Sequence, residues 1–120
     1  MPNPDIRIKR AYNAPAKSDG YRVLVDRLWP RGVKKEDAAI DEWMKDIAPS
    51  NELRKKFHGH PEKWEVFRKR YFADLKDNPL VRALIAETRK GRVTLVYAAK
   101  DEEHNNAAAL REYLLKRATK

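Results

Sequence analysis

The sequence contains no cysteine, which removes three function classes at once. A disulfide-stapled scaffold, a cysteine-ligated zinc site and a thiol nucleophile are all excluded. Glycine is scarce, at four residues, and neither standard glycine-rich phosphate loop occurs. A P-loop nucleoside triphosphatase or a Rossmann dehydrogenase is therefore not expected, and the sequence calls for no cofactor. No apolar run approaches the roughly 18–20 residues needed to cross a bilayer. The opening Met1-Pro2-Asn3-Pro4-Asp5 lacks the apolar core of a secretory leader. These absences lead us to expect a cytoplasmic protein without a membrane partner. There is also no acidic excess and no charged tail. Residues 1–60 carry 13 Lys and Arg against 9 Asp and Glu, and residues 61–120 carry 14 against 9, so both halves are basic.

What is present fits one domain. A chain of 120 residues with 42% hydrophobic residues can bury one core. Charged residues reach 38%, above the roughly 25% of ordinary domains, and the net charge is +9. A basic surface of this kind suits nucleic acid or another polyanion, and equally suits a well-solvated exterior laced with ion pairs.

Ile6 to Arg10 alternates apolar and basic residues, the period of a half-buried strand. Asn13 to Gly20 reads as a loop. Tyr21 to Val25 is β-branched and nearly all apolar, as a central strand covered on both faces would be. Val93 to Tyr97 is the clearest strand of the sequence. Between them, Ala39, Ile40, Trp43 and Ile47 recur at helical spacing and predict a helix over 35–47. Ser50 is placed to cap a short helix from Asn51 to about Phe57. Pro61 suits the first position of the next helix, where Trp64, Phe67, Tyr71 and Leu75 form one apolar stripe. Asn78-Pro79 breaks the chain, Leu80 to Thr88 resumes helix, and Ala107 to Leu115 ends the pattern with another. Three strands separated by helices predict an α/β fold: a small three-layer domain with a mostly parallel sheet flanked by helices.

In open parallel sheets, ligands gather beyond the carboxyl ends of the strands. Two expected strands run directly into polar loops, Asp26–Gly32 and Ala98–Asn106. If the strands are neighbours, the loops form one basic crevice. Arg27, Arg31 and Lys100 would hold a small anion such as a nucleotide or phosphorylated metabolite, Trp29 would cover it, and Asn105 would hydrogen-bond it. Asp26, Asp101 and His104 are the candidate catalytic groups, able to orient a ligand or move protons. Each residue also has a plain structural reading. The two arginines can pair with Asp26 and Asp101 to pin the loops. Trp29 can pack down as a lid, Asp26 can accept backbone N–H groups, and Asp101 can cap the last helix. Asn105 and Asn106 can simply shape the turn. His58-Gly59-His60 lacks a clear third ligand, so no metal site is expected. A nucleic-acid-binding module using the general basic surface is the alternative function.

Three strings go further. Arg22-Val23-Leu24-Val25-Asp26-Arg27-Leu28-Trp29-Pro30-Arg31-Gly32 is one. Leu53-Arg54 through His60-Pro61, with Trp64, Phe67, Arg70, Tyr71 and Leu75, is a second. Leu95-Val96-Tyr97-Ala98-Ala99-Lys100-Asp101-Glu102-Glu103-His104-Asn105 is the third. Together they resemble the DUF488 family in its YeaO-like branch, over about residues 5–116. The resemblance implies an α/β domain and marks the two loops as its most characteristic parts, but it supplies no reaction. Other branches carry a cysteine at the end of the third strand and a Cys-His-Arg string shortly after. Here the matching positions are Tyr97 and Asn105-Asn106-Ala107, so no thiol or metal chemistry carries over.

Overall fold

A computed structural model describes residues 4–118; the first three residues of the stretch examined for a leader lie outside them. Strands β1 (Ile6–Arg10), β2 (Tyr21–Leu24), β3 (Glu42–Trp43) and β4 (Val93–Tyr97) form a parallel sheet in the order β1-β4-β2-β3. β4 is the central strand in effect as well as position. It pairs with β1 from Ile6↔Val93 to Arg10↔Tyr97, and with β2 from Tyr21↔Val93 to Leu24↔Val96. All five of its residues are buried, as a strand covered on both faces requires. This is the small α/β domain that the sequence predicts.

The strand period of two divides the sheet into unlike faces. Ile6, Val23, Val25, Val93, Leu95 and Tyr97 project to one side. Helices α2 (Asn51–Phe57), α3 (Trp64–Lys76), α4 (Leu80–Thr88) and α5 (Asn106–Ala118) cover it. The expected aromatic stripe lies here: Phe67, Tyr71 and Leu75 are buried, and Trp64 is half-buried against Phe57 and Phe67. Ser50 caps α2 as its type and position suggest, its hydroxyl accepting the Leu53 N–H at 3.1 Å.

The second face carries Lys9, Arg22, Leu24, Thr94 and Val96, and its cover is thin. It consists of the loop through a 3₁₀ turn at Lys17–Asp19, the loop after β2, and the single turn α1 (Lys35–Ala38). Arg22 is 3% exposed and every arm of its guanidinium is used: Nη1 meets Asp19 Oδ2 at 2.6 Å, Nη2 donates to the Ala38 carbonyl and Nε to that of Ala39. Lys9 reaches the same Asp19 carboxylate at 3.1 Å. Burial alone would push the Asp19 carboxyl up, but the Ala16 N–H and the two cations together hold it below the ordinary aspartate value.

That network corrects the expected helix over 35–47. Helix stops at Ala38, and Ala39 takes a left-handed conformation at φ 49°. The Arg22 side chain takes the carbonyls of residues 38 and 39. Asp41 turns its carboxylate to the Arg22 N–H at 2.8 Å, and the Met44 N–H goes to the Leu24 carbonyl. The segment thus becomes a fourth, edge strand, β3, followed by a 3₁₀ turn at Lys45–Ile47. Gly20 is the one glycine whose smallness the packing demands. Its φ is +68°, and a β-carbon there would overlap the Arg92 carbonyl.

Candidate functional site at the carboxyl edge of the sheet

The chain leaving β2 turns toward the thinly covered face, whereas the chain leaving β4 turns toward the helical face into α5. Adjacent strands whose exits diverge in this way leave a crevice at their carboxyl ends. The two polar loops do meet there, and Asp26 joins them. Its Oδ2 accepts the Ala98 N–H at 2.9 Å, and its Oδ1 accepts from Asn106 Nδ2 at 3.0 Å. The same Asn106 nitrogen donates to the Val25 carbonyl, and the Asp26 carbonyl accepts the Trp43 indole N–H. Burial raises the Asp26 carboxyl above its ordinary value; Asn106, the Ala98 N–H and the charge of Arg54 oppose that rise.

Arg27 departs from the expected cluster. It turns toward the β3 side, donating to the Ala48 carbonyl at 3.3 Å and the Pro49 carbonyl at 3.5 Å, with Asp46 Oδ1 at 3.9 Å. It pairs with neither Asp26 nor Asp101. Trp29 packs down as a lid. Its indole donates to the Val33 carbonyl at 2.7 Å and meets Trp43 edge to face at 5.5 Å, over Ala11, Leu24 and Val96.

The loop after β4 has its own internal order. One Asp101 oxygen accepts the N–H groups of Glu103 and His104, each at 2.9 Å, and the other meets His104 Nδ1 at 3.1 Å. Those donors, the His104 N–H foremost, lower the Asp101 carboxyl. The expectation that Asp101 caps α5 is corrected: Asn105 does so. Its Oδ1 accepts the Ala108 N–H at 2.8 Å while its Nδ2 donates to the Asp101 carbonyl, leaving it 3% exposed. His104 lies edge to face with Trp64 at 5.2 Å, and no hydrogen bond links it to Asp26.

Arg31 and Lys100 are exposed, and among the described residues their side chains make no ion pair or hydrogen bond. They are drawn together by residues that sequence reasoning did not select. The Tyr12 hydroxyl donates to the Arg31 carbonyl at 3.0 Å. The Arg10 guanidinium lies 5.1 Å above the Tyr12 ring and donates to the Ala99 carbonyl at 2.9 Å, one residue before Lys100. Arg10 closes an alternating strand, so its sequence signal is that of an ordinary solvent-facing cation. Tyr12 carries no signal until the loop geometry is known.

Among the described residues, no group of three or more His, Asp or Glu side chains is placed to hold a metal ion, and no helix is long and apolar enough to cross a membrane.

Residues 5–120 match the family model described as the inactive DUF488-N3 subclade. The chain belongs to the DUF488 family. Within curated proteins it is 47% identical to the uncharacterized protein YeaO of Escherichia coli K12, over 92% of this chain and 96% of that one. It is 39% identical to the uncharacterized protein Rv3073c of Mycobacterium tuberculosis H37Rv, over 91% and 92%. No solved structure matches it. For this DUF488 member, then, the relatives establish kinship without a reaction.

Proposed function

We propose that this domain is a non-catalytic binding protein. It takes a small anionic ligand, a nucleotide or phosphorylated metabolite, on the rim formed by Arg10, Arg31 and Lys100. The observation carrying this reading is that Arg31 and Lys100 are exposed and unpaired while the two aspartates beside them are engaged within the fold. Those aspartates therefore leave the rim cations free for an outside anion. A guanidinium offers such a ligand a forked pair of donors, and Lys100 a point charge.

The same contacts argue against catalysis at Asp26, Asp101 and His104. Both oxygens of each carboxylate have internal donors, and the imidazole faces Asp101 and Trp64. The subclade's description as inactive agrees with this reading.

The test is titration of phosphate, sulfate and a nucleotide panel against wild type, Arg31→Ala, Lys100→Ala and Arg27→Ala at low and moderate salt. Saturable binding that the first two substitutions weaken and Arg27→Ala does not is the expected result. Binding that ignores both rim variants and falls only with salt would replace the pocket by a dispersed nucleic-acid surface. No binding at all would end the proposal.

A further inference from the structure

Strand β1 is one edge of the sheet, and among the described residues β4 is its only strand partner. Its hydrogen bonds fix which way its backbone groups point. The Val93 N–H goes to the Asp5 carbonyl, and the Ala11 N–H to the Tyr97 carbonyl. Alternate residues of a strand bond to the same neighbour, so Arg7 and Lys9 turn their backbone groups to β4. Ile6, Ile8 and Arg10 turn theirs away from the sheet. Two of those three outward carbonyls are occupied: Arg111 Nε donates to that of Ile6, and the Asn13 N–H to that of Arg10. The three outward N–H groups have no acceptor among the described residues. The open edge is thus richer in donors than in acceptors.

The side chains along this edge add charge of the same sign. Arg7 and Arg92 share the single carboxylate of Asp5, at 3.1 and 2.7 Å. Lys9 and Arg22 share that of Asp19. Arg10 and Arg111 direct their guanidinium groups to backbone carbonyls. Six cations therefore stand against two carboxylates, and the edge stays positive after every ion pair is made. Ile8 lies between Arg7 and Lys9 and packs on the helical side. It is only half-buried, whereas Ile6 on the same side is 1% exposed.

These features select the occupant. A second copy paired antiparallel about Ile8 would set Arg7 directly opposite the partner's Lys9, and like charges in that position are destabilising. It would also join two edges that both lack free acceptors. An extended strand with carboxylates at alternate positions meets each requirement. Its carbonyls accept the outward N–H groups, its carboxylates lie beside Arg7 and Lys9, and an apolar residue between them covers Ile8. Cations on a sheet edge deter indiscriminate strand pairing, and the charge that rejects a basic strand admits an acidic one.

We propose that β1 is a docking edge for an acidic, extended segment of a partner protein, added to the sheet as a further strand with acidic and apolar residues in alternation. The inference stands on the backbone of β1 and is independent of anion binding at the rim of Arg31 and Lys100.

The experiment follows backbone amide resonances and amide exchange in the full chain while an end-blocked peptide of alternating glutamate and valine is added. A lysine–valine peptide and inorganic phosphate serve as comparisons. The glutamate peptide is expected to slow exchange at Ile8 and Arg10, whose amides face outward, and to leave Arg7 and Lys9, already bonded to β4, little changed. Ile8→Pro removes an outward donor without removing a bond of the ladder, a place where an edge strand tolerates proline. It is expected to weaken binding about tenfold, as the loss of a main-chain hydrogen bond would. Arg7→Glu replaces a favourable cross-strand pair with a like-charge one and should weaken binding about fivefold. Arg7 is exposed, so this variant keeps the test open if Ile8→Pro fails to fold. Arg31→Ala should leave binding unchanged. Three results would overturn the proposal: outward amides that no peptide protects, equal protection by the lysine peptide, or protection that grows with protein concentration alone, which would assign the edge to a second copy.

Discussion

The two faces of the sheet bury similar strands by opposite means. Under the helices, Val23, Leu95, Tyr97, Leu84, Leu110 and Leu114 exclude water by apolar contact. Under the loops, where no long helix can supply such a stripe, Asp19, Lys9 and Arg22 form a closed set of charges. Apolar burial is non-directional, so it tolerates change in proportion to volume. A buried ion set is directional. It holds the backbone carbonyls of residues 38 and 39 in one place, and it fails all at once when a member is removed. The charged face thus gives up general stability for a fixed path of the loop that carries Trp29 and Arg31.

Removing one charge from the set tests that contrast most severely. Asp19→Ala is expected to cost about 3–5 kcal/mol in urea unfolding, since it strands a buried guanidinium. The double change Asp19→Leu with Arg22→Met should cost clearly less than the sum of the single changes. Strict additivity would show that the charges do not act as a unit.

On the apolar face, Leu84 is fully buried. Leu84→Ala should cost about 2–5 kcal/mol, according to how far the neighbours close the gap. Its amide-exchange effects should spread through the helical layer and leave the Arg22 network protected. Loss of protection at both faces together would mean that the comparison divides a single cooperative unit.

Acid titration separates two carboxylates, the buried Asp19 and the half-buried Asp26, with opposite shifts. Asp19 sits among cations, so its folded value is lowered. It contributes stability above the ordinary aspartate value, and that contribution disappears as pH falls through the lower folded value. Asp26 sits among neutral amide donors, so its folded value is raised. Its charged form costs stability at neutral pH, and the cost is relieved as pH falls through that raised value. Between the two values, Asp26 protonates while Asp19 remains ionised. Carboxyl chemical shifts followed against pH should show Asp26 titrating first. The reverse order would break the assignment of ion-paired and merely buried environments.

The smallest effect concerns the edge of the helical layer. Ser50→Ala should cost about 1 kcal/mol by removing the cap of α2. A cost near that of Leu84→Ala would show that α2 depends on its cap more than on Leu53.

Much of the fold was legible because it depends on local periodicity. β1, β2 and β4 announce themselves by alternation or by continuous β-branched residues, and the stripe of Phe67, Tyr71 and Leu75 by helical spacing. β3 was hidden because its cause is distant in sequence. Ala39, Ile40, Trp43 and Ile47 satisfy a helical period, yet Arg22 takes the carbonyls that helix would have used. The same limit applied to the candidate site. Sequence placed the two loops together correctly, through two strands expected to be neighbours. It could not direct Arg27 away from them, because the carbonyls of Ala48 and Pro49 lie there only after the chain has turned at β3. Nor could it exchange the capping roles of Asp101 and Asn105, since either residue type suits the position.

The central position of β4 also governs when this protein can acquire its shape. β1 and β2 come first from the ribosome, yet neither pairs with the other; each finds its neighbour in Val93–Tyr97. β1 must therefore wait for a segment 87 residues later in the chain, from Ile6 to Val93, and β2 for one 72 residues later, from Tyr21 to Val93. Helices can form earlier, since their bonds are local, but their apolar stripes have no sheet to rest on until that strand arrives. Contacts of such long sequence separation slow folding and prolong the exposure of apolar surface. Nascent chains halted before residue 93 should remain protease-sensitive, and protection should reach the whole domain only in chains long enough to supply both β4 and the core residues of α5.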